Sequence, residues 1–425
     1  MHELLVSIER NGTLIPVGQI TGSDRSDSCF RYSDEYCENV GAPISISLPL
    51  QKNAFSAEQT ANFFEGLLPE GFTRRTVAQW MHVGEEDYLS ILHGLGRECL
   101  GALCITEAGE VIDASYEQIS KKQVQELAAE GATKSAELVT KSHLSLTGAS
   151  GKVGLYYDAP HNAWYLPKGT APSTHIVKQS HVRLDAIVTN EKLSLMTAAR
   201  CGLDTPGNFI INTGHGEEHE VLFATQRYDR LFEPGCPVID GLPKPYRLHQ
   251  EDFAQAMGIP AAEKYERVPG SYLKGMFEIL RKYSADPVAD QLKLWDIVIF
   301  DFLIGNTDAH IKNFSLVYGK NLKQIRLAPA YDIVSTAVYE QSTRDMAFQI
   351  GGILSMDKMT RDSFRQAADE IGIGSKMAMR RFDTMAGRFR KALHESTAEL
   401  IHAGYPKTAE IEQRILQTAG IKSVG

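Results

Sequence analysis

Residues 304–314 read IGNTDAHIKNF and follow an apolar run, Leu294 to Leu303, that has almost no polar face. Such a run is typical of a buried helix, and the Gly-Asn-Thr-Asp sequence after it predicts that the helix ends in a turn. An acid, an imidazole, an ammonium group and an amide then stand on one short loop, at Asp308, His310, Lys312 and Asn313. This grouping indicates that the loop carries chemistry.

Asp308 and Asn313 lie five positions apart, which is also the spacing of the base and the metal-binding asparagine in protein-kinase catalytic loops. There the aspartate accepts the proton of an attacking hydroxyl, and the asparagine oxygen binds a cation that bridges nucleotide phosphates. Mg²⁺ prefers oxygen ligands and seldom uses a cage made by protein alone, so one further acid suffices. Asp332, which follows Tyr331 and a strand-like segment at 324–327, is the acid that we expect. A lone Asp-x-His turn would instead indicate ordinary turn chemistry.

The composition restricts the class of protein. Of 425 residues, 43% are hydrophobic and 23% charged, as in globular proteins with large cores. The net charge of −9 gives no general attraction to nucleic acids or anionic membranes, so such binding would need a local basic patch. No apolar stretch is long enough to cross a membrane and the first residues do not resemble a signal peptide, so we expect a cytoplasmic protein with no membrane partner. The cysteines are scattered, and reduced thiols are expected.

Residues 1–110 are predicted to form a small β-rich N-terminal domain with added helices. An Asn-Gly turn at Asn11 predicts a β-hairpin, and the alternation of residues 44–48 predicts a further strand. Helices are predicted from Ser56 and around residues 77–80 and 88–92. No spacing typical of catalysis occurs here, so we interpret this domain as structural or partner-binding.

Residues 111–230 are predicted to form the first lobe of a two-lobed enzyme, beginning with a polar helical connector at 111–141. A glycine-rich hairpin tip at 147–152 can bring backbone N–H groups close to phosphates, although it is not a Walker A loop. Lys178 closes a β-branched strand and is the candidate phosphate-binding lysine. A helix is predicted from an Asn190 cap to a Gly202 stop.

Residues 231–425 are predicted to form a large, all-helical C-terminal lobe, which gives an α+β, two-lobed fold like that of protein kinases. Near the end of this lobe, basic and apolar residues interleave at helical spacing in residues 379–382 and 388–391. This pattern is typical of a solvated helix face. The alternative is a small patch that binds DNA phosphates.

The order of these features resembles the HipA family, the toxin kinases of bacterial toxin–antitoxin pairs. The resemblance covers nearly the whole chain and is carried by residues 145–152, 174–178, 227–230, 247–252, 308–314 and 329–333. It implies a serine/threonine protein kinase that uses ATP and Mg²⁺. It also implies an aminoacyl-tRNA synthetase as substrate (glutamyl in the best-known case), a helix-turn-helix antitoxin as partner, and operator DNA bound through their complex.

The resemblance implies a role for each candidate residue. Asp308 would be the general base, Lys178 and Lys312 would assist catalysis, and Asn313 and Asp332 would bind the metal. The nucleotide would be bound by Thr147, Gly148, Ala149, Ser150, Gly151, Lys152, Lys178, Gln226, Arg227, Tyr228, His310, Lys312, Asn313, Tyr331 and Asp332. Autophosphorylation of Ser145 would switch the kinase off. Ser150-Gly151 replaces the Gln-Glu that usually precedes Lys152, and Gln226 replaces a frequent acid, so no contact through those acids is expected.

Two other functions stay open. One is a co-repressor that binds an antitoxin with a vestigial nucleotide site, although the presence of Lys178, Asp308, Asn313 and Asp332 together argues against decay. The other is a small-molecule kinase, because antibiotic and sugar kinases share this plan of lobes. Phosphate on Ser145 that depends on Asp308 would separate the kinase from the co-repressor.

Overall fold

The computed structural model describes residues 2–39, 41–110, 113–142, 151–180, 184–266 and 268–418. The chain forms two compact units. The first comprises Met1–His181, Ile211–Ala261 and Leu316–Ile325, and the second comprises Val182–Ile210, Ala262–Ser315 and Arg326–Gly425. None of the helices in the described ranges has both the length and the apolar character needed to span a membrane.

The strands of the described residues are, in chain order, β1 (His2–Arg10), β2 (Thr13–Gly22), β3 (Cys29–Tyr32), β4 (Leu103–Glu107), β5 (Ala114–Ile119), β6 (Lys152–Asp158), β7 (Ala163–Gly169), β8 (His175–Gln179), β9 (Asn208–Asn212), β10 (Val221–Gln226), β11 (Arg230–Leu231), β12 (Val238–Ile239), β13 (Leu242–Pro243), β14 (Tyr246–Arg247), β15 (Gln250–Asp252), β16 (Ser315–Tyr318), β17 (Ile325–Leu327), β18 (Asp345–Ile350) and β19 (Ile353–Ser355). The α-helices are α1 (Asp34–Asn39), α2 (Ala57–Phe64), α3 (Gly71–Met81), α4 (Tyr88–Leu95), α5 (Lys121–Glu130), α6 (Ala132–Ser142), α7 (Ile187–Cys201), α8 (Phe253–Met257), α9 (Tyr272–Tyr283), α10 (Pro287–Ile304), α11 (Arg361–Ile371), α12 (Ser375–His402) and α13 (Thr408–Leu416).

The first unit begins with an antiparallel sheet of strand order β3-β2-β1-β4. The predicted hairpin is confirmed: Asn11 and Gly12 connect β1 to β2 with φ angles of 52° and 82°. Positive φ at both positions is the conformation of the two-residue turns that suit the strand twist. The helix from Ser56 is also confirmed, because its hydroxyl caps α2 in a box with Gln59.

The prediction of a strand at residues 44–48 is wrong. This segment is a tight turn with one isolated bridge, between Ser45 and Leu48. The buried carboxylate of Glu251 accepts hydrogen bonds from Ser45 Oγ at 2.5 Å and from the backbone N–H of Ile46 at 3.1 Å. Hydrogen bonds to an acid far along the chain thus hold this backbone. The alternation of polar and apolar residues in the segment gives no sign of these bonds.

A second sheet has six strands in the order β5-β7-β6-β8-β10-β9, and its pairings from β5 to β10 are antiparallel. Strand β5 lies within the segment 111–141 that was predicted to be helical throughout, so that prediction is wrong for residues 114–119. The strand pairs with β7 along its whole length, from Ala114 opposite Gly169 to Ile119 opposite Trp164. Tertiary pairing therefore outweighs the polar composition of the segment.

The second unit is built around α10. Its aromatic residues form a contiguous core with those of α11 and α12: the ring of Phe364 lies 5.8 Å from Trp295, 5.0 Å from Phe302 and 4.7 Å from Phe382. The buried helix predicted at 294–303 is confirmed. On α12, Met379 and Phe389 are buried and Arg388 and Arg390 are exposed, as expected for a helix with one solvated face.

Two further predictions need correction. Helix α7 begins after Ala186, and Asn190 is a buried residue within it whose side-chain oxygen accepts the N–H of Ser335 at 3.0 Å. An all-helical lobe over residues 231–425 is not confirmed, since strands β12 to β19 lie there. A Gly351-Gly352 turn joins β18 to β19 with φ angles of 56° and 75°. A Gly-Gly dipeptide between two isoleucines predicts a hairpin, and the sequence analysis did not use this signal.

Candidate active site

Helix α10 brings the loop 305–314 out of the interior of the second unit. It ends at Gly305, whose φ of 77° is left-handed and favours glycine. A Cβ at this position would lie 3.0 Å from the Cβ of Ala337, so the site has little room for a side chain. The N–H of Ala337 also donates to the carbonyl of Gly305 at 2.9 Å. The start of the loop is therefore fixed against a neighbouring segment.

A buried carboxyl group holds the first turn of this loop. Asp301 accepts a hydrogen bond from Asn306 Nδ2 at 2.9 Å, and its backbone carbonyl accepts the N–H of Asn306 at 2.8 Å. Burial raises the pKa of Asp301 to about 7, against the lowering effect of the hydrogen bond from Asn306. The next residue, Thr307, donates its N–H to the hydroxyl of Thr336 at 2.8 Å.

Asp308 has an exposed side chain and a firmly bonded backbone. Its carbonyl oxygen accepts the N–H of His310 at 2.7 Å and the side-chain Nδ2 of Asn313 at 2.9 Å. Its carboxylate Oδ1 accepts the hydroxyl of Tyr265. Because Nδ2 of Asn313 is a donor to the loop, its amide oxygen is the atom of this side chain that suits a cation.

Tyr331 joins the loop to the segment that contains Asp332. Its hydroxyl donates to the carbonyl of Lys312 at 3.0 Å and lies 2.6 Å from the hydroxyl of Ser315. Asp332 has a φ of 56°, a left-handed conformation that costs about 1–3 kcal/mol for a residue other than glycine and recurs at functional sites. His310 and Lys312 are nearly buried in the same loop.

Asn313 in this loop and Asp332, which follows Tyr331, carry the donor types that Mg²⁺ prefers. A carboxylate from Asp332 and an amide oxygen from Asn313 are hard oxygen ligands, which this ion prefers. Among the described residues, no group of three or more His, Cys, Asp and Glu side chains could hold a metal. A magnesium ion usually needs only one or two carboxylates together with water and substrate phosphates. These two residues would therefore hold the ion jointly with a nucleotide.

In the first unit, two lysines lie opposite each other on neighbouring strands. Lys178 of β8 pairs with Lys152 of β6 on one side and with Phe223 of β10 on the other. Directly opposed residues of antiparallel strands share one face of the sheet, with Cβ atoms about 5 Å apart. The ammonium of Lys178 lies 5.7 Å from the centroid of the Phe223 ring. Two lysine side chains on one face of a sheet can converge on an anion such as phosphate.

The predicted phosphate hairpin lies mostly outside the described residues. This applies to Ser145, Thr147, Gly148, Ala149 and Ser150. Gly151 and Lys152 are described, and Lys152 is the first residue of β6.

The end of β10 contains the predicted adenine-binding residues. Gln226 is exposed and Tyr228 is half-buried. Arg227 between them is tied to the interior: its N–H donates to the carbonyl of Thr174 at 2.9 Å, and its guanidinium donates to the carboxylate of Glu98 at 3.2 Å. The N–H and the guanidinium of Arg227 therefore have structural partners, and the assignment of Gln226, Arg227 and Tyr228 to adenine stays a prediction.

Arg227 belongs to a buried ionic network that the sequence analysis missed. Its buried members are three acids and three arginines, Glu9, Glu98, Asp229, Arg227, Arg230 and Arg247, and Lys244 also pairs with Glu9 at 3.2 Å. Burial alone would raise the pKa of Glu98, but the attraction of Arg227, Arg230 and Arg247 outweighs it, and the pKa lies below its usual value. Asp229 accepts the N–H of Gly101 at 2.7 Å. The network joins residues 9–101 to residues 227–247.

The structure distributes the predicted site residues over both units. The first unit contains Gly151, Lys152, Lys178, Gln226, Arg227 and Tyr228, and the second contains Asp308, His310, Lys312, Asn313, Tyr331 and Asp332. Hydrogen bonds bring Asp308 together with Asn313, and Tyr331 together with Lys312. Tyr265 was missed because it lies 43 positions before Asp308, outside any short motif. Asp301 was also missed. The available signal was its position near the end of the apolar helix, shortly before the Asn of the turn.

The chain was compared with known proteins. Residues 144–393 match the HipA-like C-terminal domain, and residues 12–106 match the HipA N-terminal domain. Y4mE, a candidate kinase of Sinorhizobium fredii, is 33% identical over 93% of this chain and 91% of its own length. The serine/threonine-protein kinase toxin HipA of Shewanella oneidensis is 24% identical over 89% of this chain and 86% of its own.

A solved structure of HipA from Shewanella oneidensis with HipB and operator DNA has the same fold. It superposes with a TM-score of 0.81 at 21% identity and covers 99% of this chain and 97% of that one. The fold, the kinase relatives and the matched domains define a protein kinase. The chain belongs to the HipA family of kinase toxins.

Proposed function

We propose that this kinase transfers the γ-phosphoryl group of ATP, bound with Mg²⁺, to a serine or threonine of a protein. The observation that carries the proposal is the 2.9 Å hydrogen bond from Asn313 Nδ2 to the carbonyl of Asp308. It holds Asp308 and Asn313 together on one turn, which supports their assignment as base and metal ligand. Phosphoryl transfer needs positioning and charge neutralisation more than covalent chemistry, so such a turn supplies what the reaction requires.

Each residue has a defined task in this proposal. Asp308 would take the proton of the acceptor hydroxyl as that oxygen forms a bond to the γ-phosphorus and the bond from the γ-phosphorus to the bridging oxygen breaks, which releases ADP. Asn313 and Asp332 hold the magnesium ion, which supplies charge neutralisation at the phosphate oxygens when bound. Lys312 and His310, on the same loop, bind phosphate oxygens.

The first unit would bind the rest of the nucleotide. Lys178, with Lys152 opposite it, binds phosphate oxygens as point charges on flexible stems. Backbone N–H groups of residues 147–151 would contact the phosphates, and the backbone of residues 226–228 would bind the adenine edge. In this arrangement the chain divides into an N-terminal domain at 1–110, a first lobe at 111–230 and a second lobe at 231–425.

We further propose that the chain is the toxin of a toxin–antitoxin pair. Its relative in Shewanella oneidensis is described as a toxin, and the solved neighbour is a complex with HipB and operator DNA, which supports a helix-turn-helix antitoxin and operator DNA as partners. The protein substrate would be an aminoacyl-tRNA synthetase, with glutamyl-tRNA synthetase first to be tested. With such partners and ATP, the proposed location of the reaction is the cytoplasm. Autophosphorylation at Ser145 would switch the kinase off.

The test is incubation with labelled ATP and Mg²⁺, followed by mass spectrometry of the peptide that contains Ser145. The wild-type chain should acquire phosphate there, and Asp308→Gln should lower the rate by several orders of magnitude without unfolding. Asp345→Asn is the matched control, because it neutralises another exposed aspartate of the same unit. Near-normal transfer by Asp308→Gln would overturn the assignment of the base. A wild-type chain that binds the antitoxin but transfers no phosphate would support the co-repressor instead.

A further inference from the structure

Tyr265 contacts the catalytic loop at two residues. Its hydroxyl donates a hydrogen bond to Oδ1 of Asp308, and its ring meets the ring of His310 edge to face, with centroids 5.3 Å apart and planes at 82°. Tyr265 is 44% exposed, so the residue that bonds Asp308 lies at the protein surface. No short motif relates this tyrosine to the loop.

The segment that carries Tyr265 is anchored by its neighbour Glu266. One carboxylate oxygen of Glu266 accepts the backbone N–H groups of Ser271 and Tyr272, at 2.8 and 2.9 Å, at the start of α9. The other accepts the N–H of Gln349 in β18 at 2.7 Å. A helix start and a strand thus fix the chain next to Tyr265. The phenol reaches Asp308 from a rigid support, as groups that must hold a geometry do.

The carboxylate of Asp308 needs orientation. The hydrogen bonds of its carbonyl fix the backbone of the loop, and the hydrogen bond from Tyr265 to Oδ1 restricts rotation about the side-chain bonds, which sets the position of both oxygens relative to an acceptor hydroxyl. A hydrogen bond from a neutral donor to a charged group is strong enough to select one orientation. With Oδ1 held by the phenol, Oδ2 can accept the proton of the acceptor, since a carboxylate has lone pairs on both oxygens.

We propose that Tyr265 is a positioning residue that orients Asp308 for proton transfer. The inference rests on the proposed function, because it assumes that Asp308 is the base. Loss of the Tyr265 hydroxyl should therefore slow the chemical step and leave nucleotide binding unchanged. The competing role is that the phenol occupies the place of the acceptor hydroxyl and must leave before the substrate enters, which would affect acceptor binding.

The experiment measures initial rates on the best serine peptide from a positional library, with labelled ATP and Mg²⁺. Tyr265→Phe removes the hydroxyl and keeps the ring that packs on His310. We expect kcat to fall about tenfold while KM for ATP and for the peptide stay unchanged, as for an interaction made only in the transition state. Tyr283→Phe is the matched control, because Tyr283 is also exposed and also has the ammonium of the preceding lysine over its ring.

A double variant separates positioning from a general structural effect. In an Asp308→Asn background, Tyr265→Phe should cost nothing further, because the residue acts through the base. An additional loss there would overturn the proposal, and so would an unchanged kcat or a lower KM for the peptide in the single variant. If the wild-type chain phosphorylates neither peptide nor Ser145, the proposed function fails and this inference falls with it. An active wild type with an unaffected Tyr265→Phe variant removes the inference alone.

Discussion

Asn306 donates its side-chain amide to the buried carboxyl group of Asp301 across 2.9 Å, at the junction of α10 and the loop 305–314. Burial raises the pKa of Asp301 from 3.8 to about 7. Between these values the unfolded chain releases the proton and the folded chain retains it. The stabilisation of the folded state by protonated Asp301 is therefore complete only below about pH 4, and it is lost as the pH rises through this window.

Asp301→Asn should abolish this pH dependence while keeping the shape of the side chain. We expect the variant to gain stability relative to the wild type as the pH rises from 5 to 8, by about one to a few kcal/mol in the free energy of unfolding. The measurement is the difference in Tm between the two proteins at each pH. This difference removes the contribution of the titratable groups that both proteins share. A constant difference across this range would contradict the prediction.

Gly305→Ala should both destabilise the chain and impair phosphoryl transfer. The left-handed φ of 77° costs about 1–2 kcal/mol for an L residue, and the new methyl group would press on Ala337. Gly202→Ala is the matched control, since Gly202 ends α7 with a φ of 97° and a methyl group there would meet open space. Both variants should lower Tm, but only Gly305→Ala should also lower kcat. Equal effects on kcat would show that the loop does not depend on this contact.

Lys178→Met should weaken nucleotide binding and leave the fold intact. Methionine keeps an apolar stem beside Phe223 and removes the charge, so we expect KM for ATP to rise at least tenfold. Lys152→Met should act in the same direction. Lys168→Met in β7 is the control from the same sheet, because its ammonium lies 3.3 Å from Glu117 and has no predicted role. Titration calorimetry with ATP and Mg²⁺ checks binding directly, and equal affinity in the Lys178 and Lys168 variants would refute the phosphate role.

Glu98→Gln should be among the most destabilising single changes in the chain. It leaves buried arginine charge uncompensated, and breaking a buried ion pair in this way costs about 3–5 kcal/mol. The replacement is nearly isosteric, so the effect reports charge and not volume. Urea unfolding should show a large drop in the midpoint, compared with Glu117→Gln at an exposed position. A midpoint close to the wild type would show that the network tolerates an excess positive charge.

Features whose cause is local could be predicted from the sequence. The Asn11-Gly12 turn, the Ser56 cap and the buried run of α10 each follow from neighbouring residues. The same holds for the grouping of Asp308 and Asn313, because a tight loop keeps nearby residues close. The failures share a different origin. The strand β5, the turn at 44–48 and the true position of Asn190 depend on partners far along the chain.

The contacts of the candidate site divide in the same way. Tyr265 and Glu98 contact partners that are 43 and 129 positions away along the chain, and short sequence spacings cannot reveal such contacts.

The cysteines Cys29, Cys37, Cys99, Cys104, Cys201 and Cys236 are unbridged in the structure, in line with the reduced thiols expected from the sequence.

The buried network around Glu98 limits how this protein can evolve by exchange of segments. Residues 12–106 and 144–393 match two separate domain descriptions, yet Glu98 neutralises arginines that the other segment supplies. A recombinant joining these segments from two distant relatives would fold only if both parents used the same charges at these positions. The buried ion pairs between the two segments therefore favour their inheritance as a single block, whatever the function of the protein.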